Sequence, residues 1–365
     1  MRCMLIALFT VMSMAANAEV IEYSTDDGFK YNLDTEAKTA ELAEFSGSQT
    51  EVVIPENLTY NDVTYSVTSL GEKCFRFCSS LTSIVIPSSV TSLGGGCFHG
   101  CKSLTSIDIP SSVTSLGEYC FYYCSSLTSI DIPSSVTSLG NNCFAYCESL
   151  TSIDIPSSVT SLGDYCFFRC SSLTSVTIPS SVTSLGEYCF SYCSSLTSVT
   201  IPSSVTSLGG ACFYGCSSLT SIDIPSSVTS LGSYCFGDCS SLTSITIPSS
   251  VTSLGDYCFC YCTSLKTVTC EIETPINGDF FQGIPIDQAT LYVLEASLDA
   301  YQTTSPWSGF GTILPITSTG INYNTANKEV TIDAVYDLDG KRSNGTSRGL
   351  NIIRMSDGTT RKVMK

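Results

Sequence analysis

Nine cysteine pairs, Cys74/Cys78 through Cys258/Cys262, share the spacing C-x3-C, with Cys260 and Cys270 outside the pattern. Thiols at that density could do three kinds of chemistry. In an oxidising compartment they could form disulfides. An i, i+4 spacing on a turn puts the Cα atoms near the upper end of the bridging range, and so small a loop contributes only about 2 kcal/mol in the chain-entropy model. As thiolates they could hold a metal, although zinc sites usually show C-x2-C or C-x4-C in matched pairs. Left reduced, they are small hydrophobes of the kind most often buried. The spacing leaves all three open.

A second reactive set is a column of carboxylates. One slot, recurring every 23 residues, reads Val85, Asp108, Asp131, Asp154, Thr177, Thr200, Asp223, Thr246 and Thr269. On adjacent strands Asp108, Asp131 and Asp154 stand about 5 Å apart and repel one another unless water, a cation or a basic partner relieves them. Calcium prefers several oxygens, but each strand offers one carboxylate and the companions are hydroxyls. No metal site is assigned, and no cofactor is expected. The column reads as a solvated acidic patch or as a contact for a basic protein.

Acid-base catalysis finds few groups to work with. The single histidine, His99, falls in a variable slot between Phe98 and Cys101 and is expected to be exposed. A serine or threonine nucleophile needs a base within hydrogen-bond reach and a group that orients the base. No Gly-rich phosphate loop follows a strand. By this reading the protein is not an enzyme.

The third set is aromatic. Between Phe and the second Cys the copies differ most, reading Arg76-Phe77, His99-Gly100, Tyr122-Tyr123, Ala145-Tyr146, Phe168-Arg169, Ser191-Tyr192, Tyr214-Gly215, Gly237-Asp238 and Cys260-Tyr261. Aromatic and Arg side chains are favoured anchors of protein interfaces. Candidate partner-binding residues are therefore Tyr122, Tyr123, Tyr146, Phe168, Arg169, Tyr192 and Tyr214, with Asp108, Asp131, Asp154 and Asp223. The plain alternative is that the rings only shield the layer beneath them.

All three sets are positioned by one repeat. Leu81, Leu104, Leu127 and their successors to Leu265 recur every 23 residues. A fixed period of this size marks a solenoid, in which no unit buries its apolar side alone and stacked neighbours share one core. In the unit from Leu127 the apolar positions are Leu127, Ile130, Ile132, Val136, Leu139, Cys143, Phe144 and Cys147, all expected inward. The alternation at Ile130 and Ile132 predicts a short strand, which Pro133 ends. Val136 to Leu139 reads as a second extended piece, Gly140 as a tight bend, and Cys143-Phe144-x-x-Cys147 as one helical or 3₁₀ turn.

The unit L-x-x-I-x-I-P-x-x-V-x-x-L-G-x-x-C-F-x-x-C resembles the repeat of BspA-like leucine-rich repeat proteins, surface proteins common in Bacteroides-type bacteria and found in some mucosal protozoa. The likeness covers about residues 50–316, and the I-P step and the G-x-x-x-F that follows recur in all eight full copies from Leu81 to Phe259. The cysteine before Phe departs from the family, which more often carries alanine there. The resemblance implies a curved solenoid, and more loosely adhesion to host matrix proteins or other microbes. The expected fold class is thus an α/β repeat, a leucine-rich-repeat-type solenoid of about nine 23-residue units with β-rich caps and a small C-terminal β-module.

The ends are read separately. Arg2, the apolar run from Cys3 to about Ala15 and Ala16-Asn17-Ala18 predict a secretory signal peptide over residues 1–18. Residues 19–66 lack the period and predict an N-terminal β cap, with two strands around a polar turn before an extra loop. The solenoid then spans 67–269 and a C-terminal cap 270–316, reading as strand, short helix and strand, with Trp307 packed inside it. In 317–365, Asp339-Gly340 and Asp357-Gly358 are hairpin signals. YDLDGKR, GLNIIR and the final Lys resemble the C-terminal sorting module of type IX secretion in Bacteroidetes. That likeness implies export across an outer membrane.

Formal net charge is −17, yet residues 341–365 carry seven Lys or Arg and one Asp. The acidic body repels phosphate backbones, so nucleic acid is not an expected partner. No stretch suits a transmembrane segment. The reading is a secreted or cell-surface scaffold, on the outer-membrane exterior, expected to be monomeric and to bind a host matrix or other cell-surface protein or glycan. A structural spacer or surface-layer component is the alternative. An ice-binding Thr column, interrupted by the Asp residues, and an unrecognised enzyme are remote.

Overall fold

In the computed structural model the described residues are 20–316, with the backbone of four later strands, Ile332–Tyr336, Arg342–Ser343, Leu350–Met355 and Thr360–Met364. The expected signal peptide lies outside the described residues. The rest winds as a solenoid of about 12 turns, the caps adding coils to the nine read from the leucines. Each repeat forms two short parallel rungs. One stacks Ser-Ile-Asp or Ser-Val-Thr on its neighbours, as in Ser175–Thr177 beside Ser198–Thr200. The other stacks Ser-Leu, as in Ser184–Leu185, Ser207–Leu208 and Ser230–Leu231.

All eight apolar positions of the Leu127 unit are buried, as the spacing predicts. Their largest member organises the core. Phe75, Phe98, Phe121, Phe144 and Phe167 lie in one near-parallel stack with centroids 5.4 to 5.5 Å apart. The stack continues through Phe259 to Phe281. Offset stacking at this distance adds to area burial. The periodic Phe therefore becomes a spine joining every coil to the next.

The abundance of Ser and Thr has a backbone cause. Thr128, Thr151, Thr174 and Thr197 each donate Oγ1 to a Thr carbonyl of the preceding coil, at 3.1 to 3.4 Å. Ser135, Ser158 and Ser181 donate likewise to Val113, Val136 and Val159 carbonyls. The Ser hydroxyls satisfy Val carbonyls that the short rungs leave open, and the Thr hydroxyls add a second donor to carbonyls that the same residue's amide already reaches.

The third side differs from the expectation. Cys143-Phe144-x-x-Cys147 is no helical turn but a run of β-turns, with amide-to-carbonyl bonds Cys143 to Gly140, Ala145 to Asn142 and Cys147 to Phe144. Asn142 and Tyr146 have φ of 57° and 62°. The intervening Phe144 and Tyr146 amides donate outward to Cys166 and Phe168 of the next coil, at 2.9 and 2.7 Å. A helical turn would have kept those donors inside, so coil stacking decides against it.

Gly140 serves close approach rather than a bend. A Cβ there would stand 2.6 Å from the Glu118 nitrogen and 2.7 Å from the Gly117 carbonyl carbon. Both are backbone and cannot swing aside. Gly140→Ala is expected to destabilise the protein by about 1–3 kcal/mol, the usual range for overpacking. Thermal unfolding checks this, and an unchanged Tm would contradict it.

The N-terminal strands are β1 (Val20–Ser24), β2 (Phe29–Asp34), β3 (Thr39–Phe45), β4 (Glu51–Val53), β5 (Asn57–Tyr60) and β6 (Val63–Leu70); all but β4 share one sheet, and β4 pairs in parallel with Ser83–Val85. Residues 19–48 thus hold three strands, where two were expected. The added reversal follows Asp34, whose Oδ1 accepts the Glu36 and Ala37 amides at 2.9 and 2.8 Å, while Lys38 takes φ 57°. β6 continues into Ser92–Leu93, and Phe45 meets Phe75 at 5.1 Å, so the cap covers the first edge and extends the spine.

At the other end strands Thr290–Val293 and Thr312–Pro315 continue the first rung around a helix, Leu298–Thr303. Trp307 is fully buried, donates Nε1 to the Ile276 carbonyl at 2.8 Å, and packs edge-on to Phe281 at 5.3 Å. In the tail, Ile332–Tyr336 pairs antiparallel with Arg342–Ser343, and Leu350–Met355 with Thr360–Met364. Those are the segments that flank the two Asp-Gly signals.

Candidate functional site

The β-turn side carries the variable slots, and the structure brings most of them together. Phe77, His99, Tyr122, Tyr146, Phe168, Tyr192 and Tyr214 form an unbroken file, with neighbouring centroids 4.8 to 5.8 Å apart. Tyr123 stacks on Tyr146 at 5.0 Å. The Arg169 guanidinium sits among three rings, 5.0 Å from Tyr192 and 5.7 Å from Tyr146 and Phe168. Such placement is attractive through the ring quadrupole. All seven aromatic-edge candidates therefore share one ribbon.

Besides Phe77 and His99, two cations outside the candidate set also belong to it. Lys102 lies 5.2 Å over the Tyr123 ring, and Arg76 lies 4.5 Å from the Phe77 ring. The signal for Lys102 was its place directly after a second Cys, a slot otherwise filled by Ser, Thr or Glu.

The backbone under this ribbon is unusual. Phe77, Tyr123, Tyr146, Arg169, Tyr192 and Tyr261 have φ of 57° to 63°, and Tyr119, Tyr165, Tyr188, Tyr234 and Tyr257 have φ of 54° to 61°. Side-chain-bearing residues are disfavoured there, and bulky ones most. Glycine fills the equivalent positions at Gly96, Gly100 and Gly215, so the coil itself requires no ring. Strain of about 1 kcal/mol or more per residue persists where something else favours the side chain.

Burial and charge tune the ribbon. His99, expected exposed, is half-buried between Phe77 and Tyr122; burial, then the Arg76 and Lys73 charges, lower its pKa and keep it neutral. No Ser or Thr hydroxyl bonds to it among the described residues. Burial first, and then Tyr192 beside it, push the Tyr214 hydroxyl up to about 12.

The carboxylates are a separate feature. Asp108, Asp131 and Asp154 are exposed and paired in register on the first rung, Asp154 being followed by Thr177. Asp223 is also exposed but stands two Thr rungs away, after Thr177 and Thr200. These residues lie on the strand side and the rings on the turn side, so the two sets do not converge on one pocket.

Among the described residues the cysteines are free thiols, and all but the half-buried Cys78 are buried. From Cys101 to Cys262, the second Cys of each pair donates its Sγ–H to the Phe carbonyl of the preceding coil at 3.0 to 3.3 Å. Each is thus a small core side chain with one useful donor. Burial pushes Cys78 and Cys260 up to about 11 and Cys147 up to about 12, and raises Cys124, Cys143 and Cys235 well above the ordinary thiol value. A protonated thiol is a poor nucleophile and a poor metal ligand. Among the described residues no three His, Cys, Asp or Glu are placed to hold a metal ion, and no helix is long and apolar enough to cross a membrane.

Residues 49–174 and 160–287 match the BspA-type leucine-rich repeat region, in six copies. The chain belongs to the BspA-type leucine-rich repeat family. Among solved structures, a leucine-rich repeat protein from Bacteroides ovatus is 29% identical, with 80% of this chain and 76% of that chain covered and a TM-score of 0.68. A leucine-rich repeat protein of T. pallidum is 26% identical over 60% of this chain and 91% of its own, with a TM-score of 0.48. No curated protein matches. This BspA-type chain places a buried cysteine before each spine Phe from Phe75 to Phe259 and aromatic rings along the turn edge.

Proposed function

We propose that this BspA-type protein is an exported cell-surface scaffold that binds a protein or glycan on a host or neighbouring cell through the aromatic edge of its solenoid. One observation carries the reading: along the aromatic edge the rings of Phe77, Tyr123, Tyr146 and Tyr192 stand on left-handed backbone that favours glycine, and Phe77, Tyr123 and Tyr192 are 37% to 59% exposed. The coil gains no backbone relief from them, and an interface gains aromatic anchors. Export is supported by the signal-peptide pattern in residues 1–18 and by the likeness of the tail to a sorting module. The Asp column supplies a second, acidic surface for a basic partner. Cofactors and catalysis have no part in this role.

Contacts repeated along a rigid ribbon add through avidity, with no single deep pocket. Deleting residues 127–195, a whole number of repeats, joins Ser126 to Leu196 in register and keeps both caps. This shortened chain is expected to stay folded and to bind immobilised host matrix at least tenfold more weakly. Binding equal to that of the full chain would contradict the additive mechanism.

A further inference from the structure

In each coil one backbone amide follows the Leu-Gly pair, and side chains of the preceding coil cap several of these. Asn141 Oδ1 accepts the Asp164 amide at 2.9 Å, and Asp164 Oδ1 accepts the Glu187 amide at 2.8 Å. At Gly95 the equivalent side chain is missing. A Cβ built there would meet only the Glu118 carbonyl oxygen, at 3.4 Å, and the Glu118 amide has no acceptor among the described residues. A cavity of about 380 Å³ opens at this point, lined by Lys73, Arg76, His99, Tyr119, Glu72 and Glu118.

The charges around this notch are unlike those elsewhere on the solenoid. Of the five Lys or Arg between residues 49 and 287, only Lys73 and Arg76 fall in one coil. Glu72 and Glu118 also line the notch, the Glu118 carboxyl accepting Asn141 Nδ2 at 3.4 Å, so two carboxylates stand beside the two cations and attraction for an anion rests on the local donors, not on an excess of positive charge. An uncapped amide beside a guanidinium and an ammonium suits a carboxylate. Within the chain, a carboxylate oxygen already fills the equivalent place at Asp164. Aromatic faces complete the site: His99 and Tyr119 line the notch, and Tyr119 is 42% exposed.

We propose that the Gly95 notch binds the carboxylate of an acidic sugar, one oxygen accepting the Glu118 amide and the Lys73 and Arg76 charges, with the sugar ring against Tyr119 and His99. This rests on the aromatic edge being a contact surface and gives that surface a ligand class. The second notch, at Gly210, has the same open geometry, its Cβ meeting only the Ser233 carbonyl oxygen at 3.4 Å, but no cation stands in its coil or the ones beside it.

Titrating the full chain with glucuronic acid and with N-acetylneuraminic acid, followed by calorimetry, tests the site. The native chain is expected to bind at least one of these, with glutamate at least tenfold weaker and galactose undetected. Gly95→Asp inserts the residue that Asp164 already supplies in its own coil, so the fold is retained, and binding is expected to fall at least tenfold. Gly210→Asp is expected to leave binding unchanged. Three results would overturn the proposal: no binding of either acidic sugar, equal binding by Gly95→Asp, or glutamate binding as tightly as the sugars. A native chain that ignores free acidic sugars while still attaching to host matrix would overturn the notch alone and leave the edge standing.

Discussion

Raised from pH 8 under reducing conditions, the protein is expected to unfold cooperatively near pH 10, as its buried thiols withhold protons that the unfolded chain releases. Below the ordinary thiol value of 9.0 both states are protonated, and the thiols contribute nothing to pH dependence. Above it the unfolded chain binds fewer protons than the folded one, so stability falls as pH rises. The slope is about 1.4 kcal/mol per pH unit for each retained thiol. The loss continues until the folded values are reached, about 11 for Cys78 and Cys260 and about 12 for Cys147. Ten such thiols would remove about 14 kcal/mol by one unit above their ordinary value, against a typical total of about 5–15 kcal/mol. Circular dichroism across this range checks it. A fold intact at pH 11 with free thiols would contradict the buried thiol layer.

Phe144→Ala is expected to destabilise the protein by about 3–5 kcal/mol, the range for emptying a fully buried aromatic site. Phe144 has no exposed surface and stacks on Phe121 and Phe167 at 5.4 and 5.5 Å. Because each coil meets only its neighbours, the cavity weakens two interfaces in mid-solenoid, and urea unfolding is expected to separate into two transitions. Phe77→Ala, by contrast, removes a ring that is 59% exposed and is expected to change stability by about 0.5 kcal/mol or less. Equal effects of the two substitutions would contradict the division into spine and edge.

Much of the fold was legible because the period made one unit speak for all. Alternation at Ile130 and Ile132, the stop at Pro133 and the leucine positions each have a local cause that stacking preserves. The turn side was harder to read, because i, i+4 spacing at Cys143 and Cys147 fits a helical turn as well as it fits two successive β-turns. What separates them is where the Phe144 and Tyr146 amides find acceptors, and those carbonyls lie in another coil. Gly140 was similarly ambiguous, since a bend and a close approach both call for glycine.

The aromatic candidates were visible as the slots that vary between copies. Their joining into one file was not, because it depends on rings of successive coils meeting in space, with left-handed backbone at Tyr146 and Tyr192 alternating with Tyr122, Phe168 and Tyr214. No residue type there signals it, and glycine appears only in some coils. His99 was read as exposed because its neighbour rings sit a full repeat away on either side. The uncapped amide of Glu118 is likewise visible only when Gly95 is compared with Asn141 and Asp164 in space.

The central claim is that the rings serve a partner and not the coil. Its most direct measurement is adhesion to immobilised host matrix by the full chain carrying Tyr123→Gly, Tyr146→Gly and Tyr192→Gly together. Glycine suits all three backbone positions, so unfolding free energy is expected to stay within about 1 kcal/mol per site of the native value. Binding is expected to fall at least tenfold at that preserved fold, whereas full binding by the triple variant would show that the edge is only a cover for the layer beneath it.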